Sequence, residues 1–402
     1  FKPHTIFICS TCPVGLIGDD IHAVAKWAEK EYGIKCVAFS CEGYKGVSQS
    51  AGHHIANNQL LRYVVGEGDR EIKTKYAINL LGEYNIGGDG WETERLLKRI
   101  GYEVVATFTG GSKMDQIKNA HKANLSLVQC HRSINYIAEM IETKFGIPWM
   151  KVNFIGVEAT IKSLRDIARY FGDPELMERT EEVIADELAQ IADQMEYYRG
   201  KLKGKTAAIY VGGSRSHHYQ DLLRDLGVRT ILAGYEFAHR EDYEGREVLP
   251  FIKMDADNKN IESLIVEPDP EKYHLFLSEE DLKRLREEKL IDYYGGMVKD
   301  MENGSYMVDD LNHYETEELL KALKPDIFFS GIKDKFVAQK AGILSRQLHS
   351  YDYSGPYSCF RGAVNFARDI TMGIYAPAWN YVKAPWKMAP ILVGSLGGEK
   401  AC

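Results

Sequence analysis

Short apolar runs alternate with amphipathic stretches along most of the chain. The runs have the length and the content of buried strands, whereas the stretches between them repeat apolar residues at helical spacing. The runs that predict strands span 5–11, 35–40, 76–84, 103–110, 125–130, 206–213, 229–237 and 326–331. The stretches that predict helices span 21–33, 91–101, 133–145, about 174–200 and 219–227. This alternation predicts an α/β protein with several doubly wound, Rossmann-like parallel-sheet domains.

The grouping of these elements also predicts domains. We expect residues 1–67 to be the remainder of an N-terminal α/β domain, 68–200 a middle α/β domain, and 201–378 a C-terminal one, followed by a tail at 379–402. A charge-dense segment at about 244–303 interrupts the C-terminal domain. Its composition predicts a solvated surface excursion.

One cysteine lies where a strand pattern gives way to a helix pattern. The run at 125–130 ends on Cys130, and the spacing of the isoleucines that follow predicts a helix from Ser133, with a stop at Gly146. In an open α/β sheet ligands bind at the carboxyl ends of the strands, where a thiolate gains from the helix dipole and from Arg132. On this stretch alone, an inert packing thiol is the commoner alternative.

Composition narrows the classes of function. The 402 residues are 45% hydrophobic and 27% charged, as in ordinary globular proteins, and the net charge of −8 argues against general nucleic-acid binding. No apolar run approaches the roughly 20 residues of a membrane span. The start shows neither a signal peptide nor an initiator methionine, which suggests the remainder of a longer protein. Seven cysteines, an odd count, favour a reducing cytoplasm over a disulfide framework.

Several sequences that look like known binding motifs lack the context that those motifs require. GKLKGKT at 200–206 lies between a helix and a strand, which is the wrong order for a phosphate-binding loop, and no dinucleotide fingerprint follows a strand. Cys9 and Cys12 lack the second pair of a zinc ribbon, and Cys9 falls inside a strand pattern, so we expect it in the core. The doublets His53-His54 and His217-His218 are not self-contained metal sites, because adjacent residues do not share a helix face.

What remains is a set of reactive or cationic residues near the ends of predicted strands. Cys12 precedes a proline in a glycine-bearing turn, where Asp19 or Asp20 can cap the next helix. The other members are Gln49, Ser50 and His53 in a glycine-punctuated loop, Gly212 to Arg215 after a strand, Lys333 after another, and His349 in a turn-rich segment.

These segments together resemble the α chains of the nitrogenase component that carries the iron–molybdenum cofactor. The matching segments, in the family's order, are CPVGLIGDDI, GVSQSAGHHIAN, GEYNIGGD, CHRSINYI, FGIPWMKVNF, GYEFAHR, GIKDKF and HSYDYSGPY. The 244–303 segment resembles the extra segment of clostridial-type α chains. The resemblance implies a catalytic subunit that reduces dinitrogen to ammonia, and protons to hydrogen, at a metal cofactor lying in a cleft between domains.

The resemblance also implies roles for single residues. Cys130 matches the thiolate that binds the terminal iron of the cofactor, and His349 matches the imidazole that binds molybdenum. Lys333, Gln347 and Gln49 match residues near the homocitrate that completes the molybdenum sphere.

Further matches surround the cofactor. His53 matches a histidine that hydrogen-bonds a cofactor sulfide. It is implied, with Gln49 and Arg215, as a catalytic residue. The wall of the site would consist of Gly212, Gly213, Arg215 and Phe237, with Arg132, Ser133 and Tyr136 beside the cysteine ligand.

A second cluster is implied at the boundary with a β chain. Cys12 matches one of three α-chain cysteines that hold the P-cluster, an 8Fe-7S cluster shared between the two chains. The other two lie upstream in the family, and Cys9, Cys36 and Cys41 do not match their contexts. We therefore expect this sequence to be part of a longer chain whose N-terminal region holds those two cysteines.

The partners implied are a nitrogenase β chain, in an α2β2 heterotetramer, and a separate ATP-hydrolysing iron protein that donates electrons. Neither nucleic acid nor membrane is implied, and the location is cytoplasmic. The alternatives are a scaffold for cofactor assembly, a vanadium or iron-only nitrogenase, the related reductase of chlorophyll synthesis, and a metal-free α/β binding module. The retention of Gln49, Lys333 and His349 argues against a scaffold, and HSYDYSGPY against the chlorophyll enzyme.

Overall fold

The computed structural model describes residues 2–44, 49–212, 214–235, 264–295, 304–309, 311–331, 334–348, 351 and 354–381. Its strands form three sheets, and every strand pairing among the described residues is parallel. Helices connect successive strands, as a parallel sheet requires. The α/β class and the parallel sheets predicted from the alternation of patterns are confirmed.

The first sheet is small. It pairs β1 (Thr5–Cys9) with β2 (Lys35–Phe39), joined through α1 (Cys12–Ile17) and α2 (Ile21–Tyr32), and α3 (Gln49–Tyr63) follows. The Asp20 side chain caps α2 by accepting a hydrogen bond from the Ala23 N–H at 2.9 Å, so one of the two predicted caps is confirmed.

The second sheet has the strand order β4-β3-β5-β6. Its strands are β3 (Ala77–Glu83), β4 (Glu103–Thr109), β5 (Leu125–Val128) and β6 (Trp149–Lys151), and its helices are α4 (Asp89–Ile100), α5 (Met114–Lys118) and α6 (His131–Phe145). All seven residues of β3 are buried, as expected for a central strand covered on both faces.

The third sheet has the strand order β11-β10-β7-β8-β9. Its strands are β7 (Thr206–Tyr210), β8 (Arg229–Tyr235), β9 (Tyr306–Asp309), β10 (Ile327–Ser330) and β11 (Leu344–Gln347). The helices of this half are α7 (Val157–Phe171), α8 (Pro174–Leu202), α9 (Ser214–Asp225), α10 (Glu279–Glu287), α11 (His313–Leu323), α12 (Lys335–Lys340) and α13 (Cys359–Ile374).

One hydrophobic core runs from the second sheet to the third. Side chains of β3, β5, β7 and β10 belong to it together with those of α7, α8 and α13. On α8 the carboxylate of Glu187 is fully buried and accepts hydrogen bonds from Arg95 at 2.9 Å and Arg99 at 2.6 Å, which ties α8 to α4. The predicted domain boundaries, including the tail that lies mostly outside the described residues, stay predictions.

The expectation of a solvated excursion at 244–303 holds for the charged residues of the described part, 264–295, but it is wrong for the apolar side chains that anchor this part to the protein. Leu282, Leu285 and Ile291 are buried in the main core. The Arg286 guanidinium binds Asp292 at 2.8 Å and Glu142 of α6 at 2.9 Å. The charged residues that suggested a solvated segment occupy the outer face of α10, while its leucines at helical spacing face the core.

Candidate functional site

Cys130 is the N-cap residue of α6, and Gln129 alone separates it from the end of β5. Its backbone is non-helical, with φ −122° and ψ 88°, and its side chain is half-buried. The helix begins at His131, two residues before the predicted start, and Cys130 is its N-cap residue by position, without a side-chain capping hydrogen bond. Arg132 and Ser133 therefore lie in the first turn of α6, and their side chains lie outside the described residues.

The neighbouring strand approaches Cys130 through a glycine. Gly82, near the carboxyl end of β3, has φ +76°, and a Cβ there would lie 2.8 Å from both the Cβ and the backbone N of Cys130. Only glycine permits this packing. Sequence reasoning missed Gly82. The available signal was a glycine inside a buried apolar run, which often marks a close backbone approach.

His53 lies on α3 and reaches the same strand end. Its Nδ1 is 3.5 Å from the hydroxyl of Tyr84, and the two rings are 5.0 Å apart. Burial lowers the pKa of His53, which favours the neutral imidazole at pH 7. Because Gly82 and Tyr84 are two residues apart, the end of β3 brings His53 and Cys130 to one region.

Gln49 and His53 were expected in a loop, and this expectation is wrong. Both belong to α3, whose later turns bury Leu60 and Leu61. That packing outweighs a polar first turn containing a glycine. The side chain of Gln49 lies outside the described residues. Tyr136 of α6 lies beside this helix, with its ring 4.1 Å from that of His54.

Arg215 lies at the corresponding edge of the third sheet, at the start of α9. Its guanidinium donates hydrogen bonds to the backbone oxygen of Leu348 at 3.1 Å and to the hydroxyl of Tyr351 at 3.0 Å. These two residues flank His349. Gly212 follows β7 and Gln347 ends β11, both at this edge. Gly213, Phe237, Lys333 and His349 lie outside the described residues.

A buried hydrogen-bond network joins the two edges. Tyr219 donates to the Tyr351 hydroxyl at 3.1 Å, and Tyr351 donates to the carboxylate of Asp89, at the start of α4. Asp89 also accepts the backbone N–H groups of Tyr357 at 2.6 Å and Ser358 at 2.9 Å. These contacts connect residues that follow β3 with residues that follow β11.

Glu83 ends β3 next to Gly82, and charged groups of this network act on its carboxyl group. Burial, and then the nearby Asp89 carboxylate, raise its pKa from 4.5 to about 7, although Arg215 opposes the shift. Its Oε1 accepts the Asn85 N–H at 2.6 Å. The strand end near Cys130 thus carries a carboxyl group that titrates close to neutral pH.

Cys12 is the first residue of α1, and its thiol is exposed. A Cβ on Gly43 would lie 3.3 Å from its Sγ. Cys9 is also exposed, so its expected place in the core is wrong. Within the described ranges the sheet of β1 has two strands, and the burial of β1 is incomplete on both of its faces.

Other features of the described residues do not add a site. No group of three or more histidine, cysteine or acidic side chains within these ranges has the arrangement of a metal site. A cleft of about 620 Å³ is lined, among the described residues, by Asn85, Gly87, Gly88, Trp91, Glu92, Arg95 and Pro356, none of which is a predicted ligand. None of the described helices has the length and apolar composition of a membrane span.

Comparison with known proteins gives a consistent answer. The family model described as nitrogenase component 1 type oxidoreductase matches residues 1–375. The chain is 59% identical over 390 residues to the nitrogenase molybdenum-iron protein alpha chain of Clostridium pasteurianum, covering 97% of this chain and 73% of that one. The corresponding alpha chain of Methanosarcina barkeri is 54% identical over 387 residues, covering 96% of this chain and 73% of that one.

A solved structure described as nitrogenase Cp1 at pH 6.5 has the same fold. It superimposes with a TM-score of 0.90 at 58% identity, covering 96% of this chain and 74% of that chain. The resemblance inferred from the motifs is therefore confirmed over nearly the whole chain. The chain belongs to the nitrogenase component 1 family, as an α chain of the molybdenum-iron protein type.

Proposed function

We propose that this α subunit reduces dinitrogen to ammonia, and protons to hydrogen, at an iron–molybdenum cofactor with homocitrate held between the edges of the second and third sheets. The observation that carries the proposal is the placement of Cys130. Half-buried Cys130 is the N-cap residue of α6, shortly after the carboxyl end of β5, and it packs against Gly82 of β3, whose end the imidazole of His53 also reaches through Tyr84.

The described residues fit such a group on the Cys130 side. A thiolate is a soft ligand suited to iron in metal–sulfur clusters. Gly82 lets Cys130 lie closer to β3 than a Cβ at that position would permit. The neutral imidazole favoured for His53 can donate a hydrogen bond to a sulfide. His349 and Lys333 would act at the molybdenum end, and they lie outside the described residues.

Each residue then has a distinct task. Cys130 would hold the terminal iron and His349 the molybdenum, while Lys333, Gln347 and Gln49 would bind homocitrate. The remaining contacts would come from Gly212, Gly213, Arg215, Phe237, Arg132, Ser133 and Tyr136. When bound, the cofactor supplies the metal–sulfur surface on which electrons and protons reach dinitrogen.

The protein's own groups would orient this chemistry. Arg215, held on Leu348 and Tyr351, would fix the segment that bears His349 and supply positive charge toward the carboxylates of homocitrate. His53 would present its ring at a fixed position through α3 and its contact with Tyr84. A ligand with two protein anchors depends on such surrounding contacts for its orientation.

The second part of the proposal concerns the P-cluster and the partners. The exposed thiol of Cys12, next to a glycine, fits a ligand of a cluster shared with a β chain. We propose an α2β2 assembly in the cytoplasm that receives electrons from an ATP-hydrolysing iron protein. The support is the similarity to relatives named as alpha chains of the molybdenum-iron protein.

Replacement of Cys130 tests the central assignment. In the purified αβ complex, Cys130→Ala should remove most of the molybdenum and only part of the iron, because the P-cluster is held elsewhere. The measurements are metal analysis and electron paramagnetic resonance. The matched control is Cys359→Ala, which removes a fully buried thiol and should lower stability by about 1–3 kcal/mol while the metals are retained.

Full molybdenum content and an unchanged cofactor signal in Cys130→Ala would refute the assignment. Vanadium, or no heterometal, in the parent complex would redirect the function to another nitrogenase type or to an assembly scaffold.

A further inference from the structure

The segment at 264–295 reaches the residue that follows the proposed iron ligand. The ring of Tyr294 stacks on the imidazole of His131, with the ring centres 3.6 Å apart and the planes 18° from parallel. His131 is the first residue of α6, is only 4% exposed, and also lies 5.6 Å from the ring of Trp149. The stack therefore holds the first turn of α6 immediately after Cys130.

Tyr294 is itself held from the second sheet. Two residues earlier, Asp292 accepts the Trp149 N–H at 2.8 Å and donates its own N–H to the Trp149 oxygen at 2.7 Å. The Lys151 ammonium lies 4.8 Å from the centre of the Tyr294 ring. The segment is thus fixed along β6 before it meets His131.

We propose that Tyr294 is a positioning residue that sets the Cys130 thiol through the His131 ring. On the β3 side the Cys130 turn packs against the backbone of Gly82, which has no side chain that could move aside. The Tyr294–His131 stack restrains His131, the residue after Cys130. Loss of the stack would let the first turn of α6 open more often. The inference rests on the proposed function only in taking Cys130 as a cofactor ligand.

The test compares three variants in the purified αβ complex. Tyr294→Leu keeps apolar volume but removes the stacked ring, and Tyr294→Phe keeps the ring. Tyr293→Leu is the matched control, because it makes the same change at the neighbouring tyrosine, which contacts Lys289. The Tyr293 ring lies 4.7 Å from the Lys289 ammonium, and its hydroxyl is 3.5 Å from that group. The first readout is the rate at which iodoacetamide alkylates Cys130 in complex purified without cofactor, followed by mass spectrometry of its peptide.

We expect Tyr294→Leu to be alkylated roughly three- to tenfold faster than the parent, in line with the energy of one aromatic pair. Tyr294→Phe and Tyr293→Leu should react at the parental rate. The second readout is the electron paramagnetic resonance signal of the loaded complex, which should shift or broaden in Tyr294→Leu alone. Rescue by the phenylalanine variant separates positioning from general destabilisation.

Equal alkylation rates in Tyr294→Leu and the parent would overturn the inference, as would an equal increase in Tyr293→Leu. If Tyr294→Leu fails to assemble, a changed rate in Tyr294→Phe would also overturn the inference. A parent complex without molybdenum would refute the proposed function, whereas the alkylation result would still decide the role of Tyr294.

Discussion

At the residue scale, Cys130 owes its position to a neighbour without a side chain. Gly82 combines a positive φ with a contact that no Cβ could make, so two separate physical demands select glycine there. The thiol can then lie close to the end of the central strand β3, where His53 also arrives through Tyr84.

Gly82→Ala should separate these two demands when compared with Gly172→Ala. Gly172 has φ +62°, and the methyl group of an alanine there would have nothing within 4 Å, so its substitution carries only the backbone cost of about 1–2 kcal/mol. Gly82→Ala adds the clash with Cys130 and should lower molybdenum content as well as stability. Metal analysis and thermal unfolding of both variants provide the measurement. Equal molybdenum in the two variants would contradict the close-packing argument.

Glu83 gives stability a specific dependence on pH. Its pKa rises from 4.5 to about 7 on folding. Between these two pH values the folded chain therefore keeps a proton that the unfolded chain has released. This contribution to stability is therefore present below pH 4.5 and is lost as the pH rises through about 7.

Glu83→Gln removes that dependence and keeps an oxygen for the Asn85 N–H. Relative to the parent, the variant should gain on the order of 2 kcal/mol between pH 5 and pH 8. Unfolding midpoints at the two pH values measure the change. An identical difference at both values would show that the carboxyl group does not titrate in this range.

At the element scale, the segment at 264–295 is a surface segment anchored to the core by a few apolar side chains. Its helix α10 inserts Leu282 and Leu285, and Arg286 links Asp292 with Glu142 of α6. Removing this segment would uncover apolar surface and would also remove the stack on His131. We therefore expect its deletion to impair both stability and the cofactor site.

Two substitutions within the same segment check its packing. Leu285→Ala removes a side chain that is 4% exposed and should lower stability by about 2–5 kcal/mol. Ile265→Ala, at a position 90% exposed, should stay within about 0.5 kcal/mol of the parent. Chemical denaturation measures both, and similar small effects would indicate a loosely attached segment.

At the scale of the whole molecule, the two large sheets are joined through buried polar groups as well as through the shared core. Asp89 binds Tyr351 and two backbone N–H groups that are 268 and 269 residues away along the chain. By contrast, the first sheet exposes large apolar side chains on α1 and α2, including Leu16, Ile17 and Trp27.

These exposed side chains predict a partner surface beside Cys12. Ile17 is 73% exposed, and burial of such a side chain in an interface contributes about 1.5–3 kcal/mol. Ile17→Ser should therefore weaken assembly with the β chain by roughly tenfold or more, whereas Ile265→Ser should not. Titration of the αβ complex by mass photometry or light scattering measures the effect. Unchanged assembly in Ile17→Ser would place the partner elsewhere.

The sequence by itself determined the class of the fold and most of its elements. Continuous apolar runs predicted β3, β5, β7 and β10, and helical spacing predicted α2, α4, α6 and α8, because these patterns arise within a few consecutive residues. The position of Cys130 at a strand end followed from the same local signal. The ordered motifs that carry the family resemblance were also visible without a structure.

Only the tertiary structure decided what depends on contacts between distant residues. Contacts with other elements decide the helical state of Gln49 and His53, the exposure of Cys9, the burial of the two α10 leucines, and the roles of Gly82 and Tyr294. A local pattern records which side of an element is apolar, but it does not record what covers that side. Burial, close approach and paired charges are set by packing across the chain, and these contacts shape the site around Cys130.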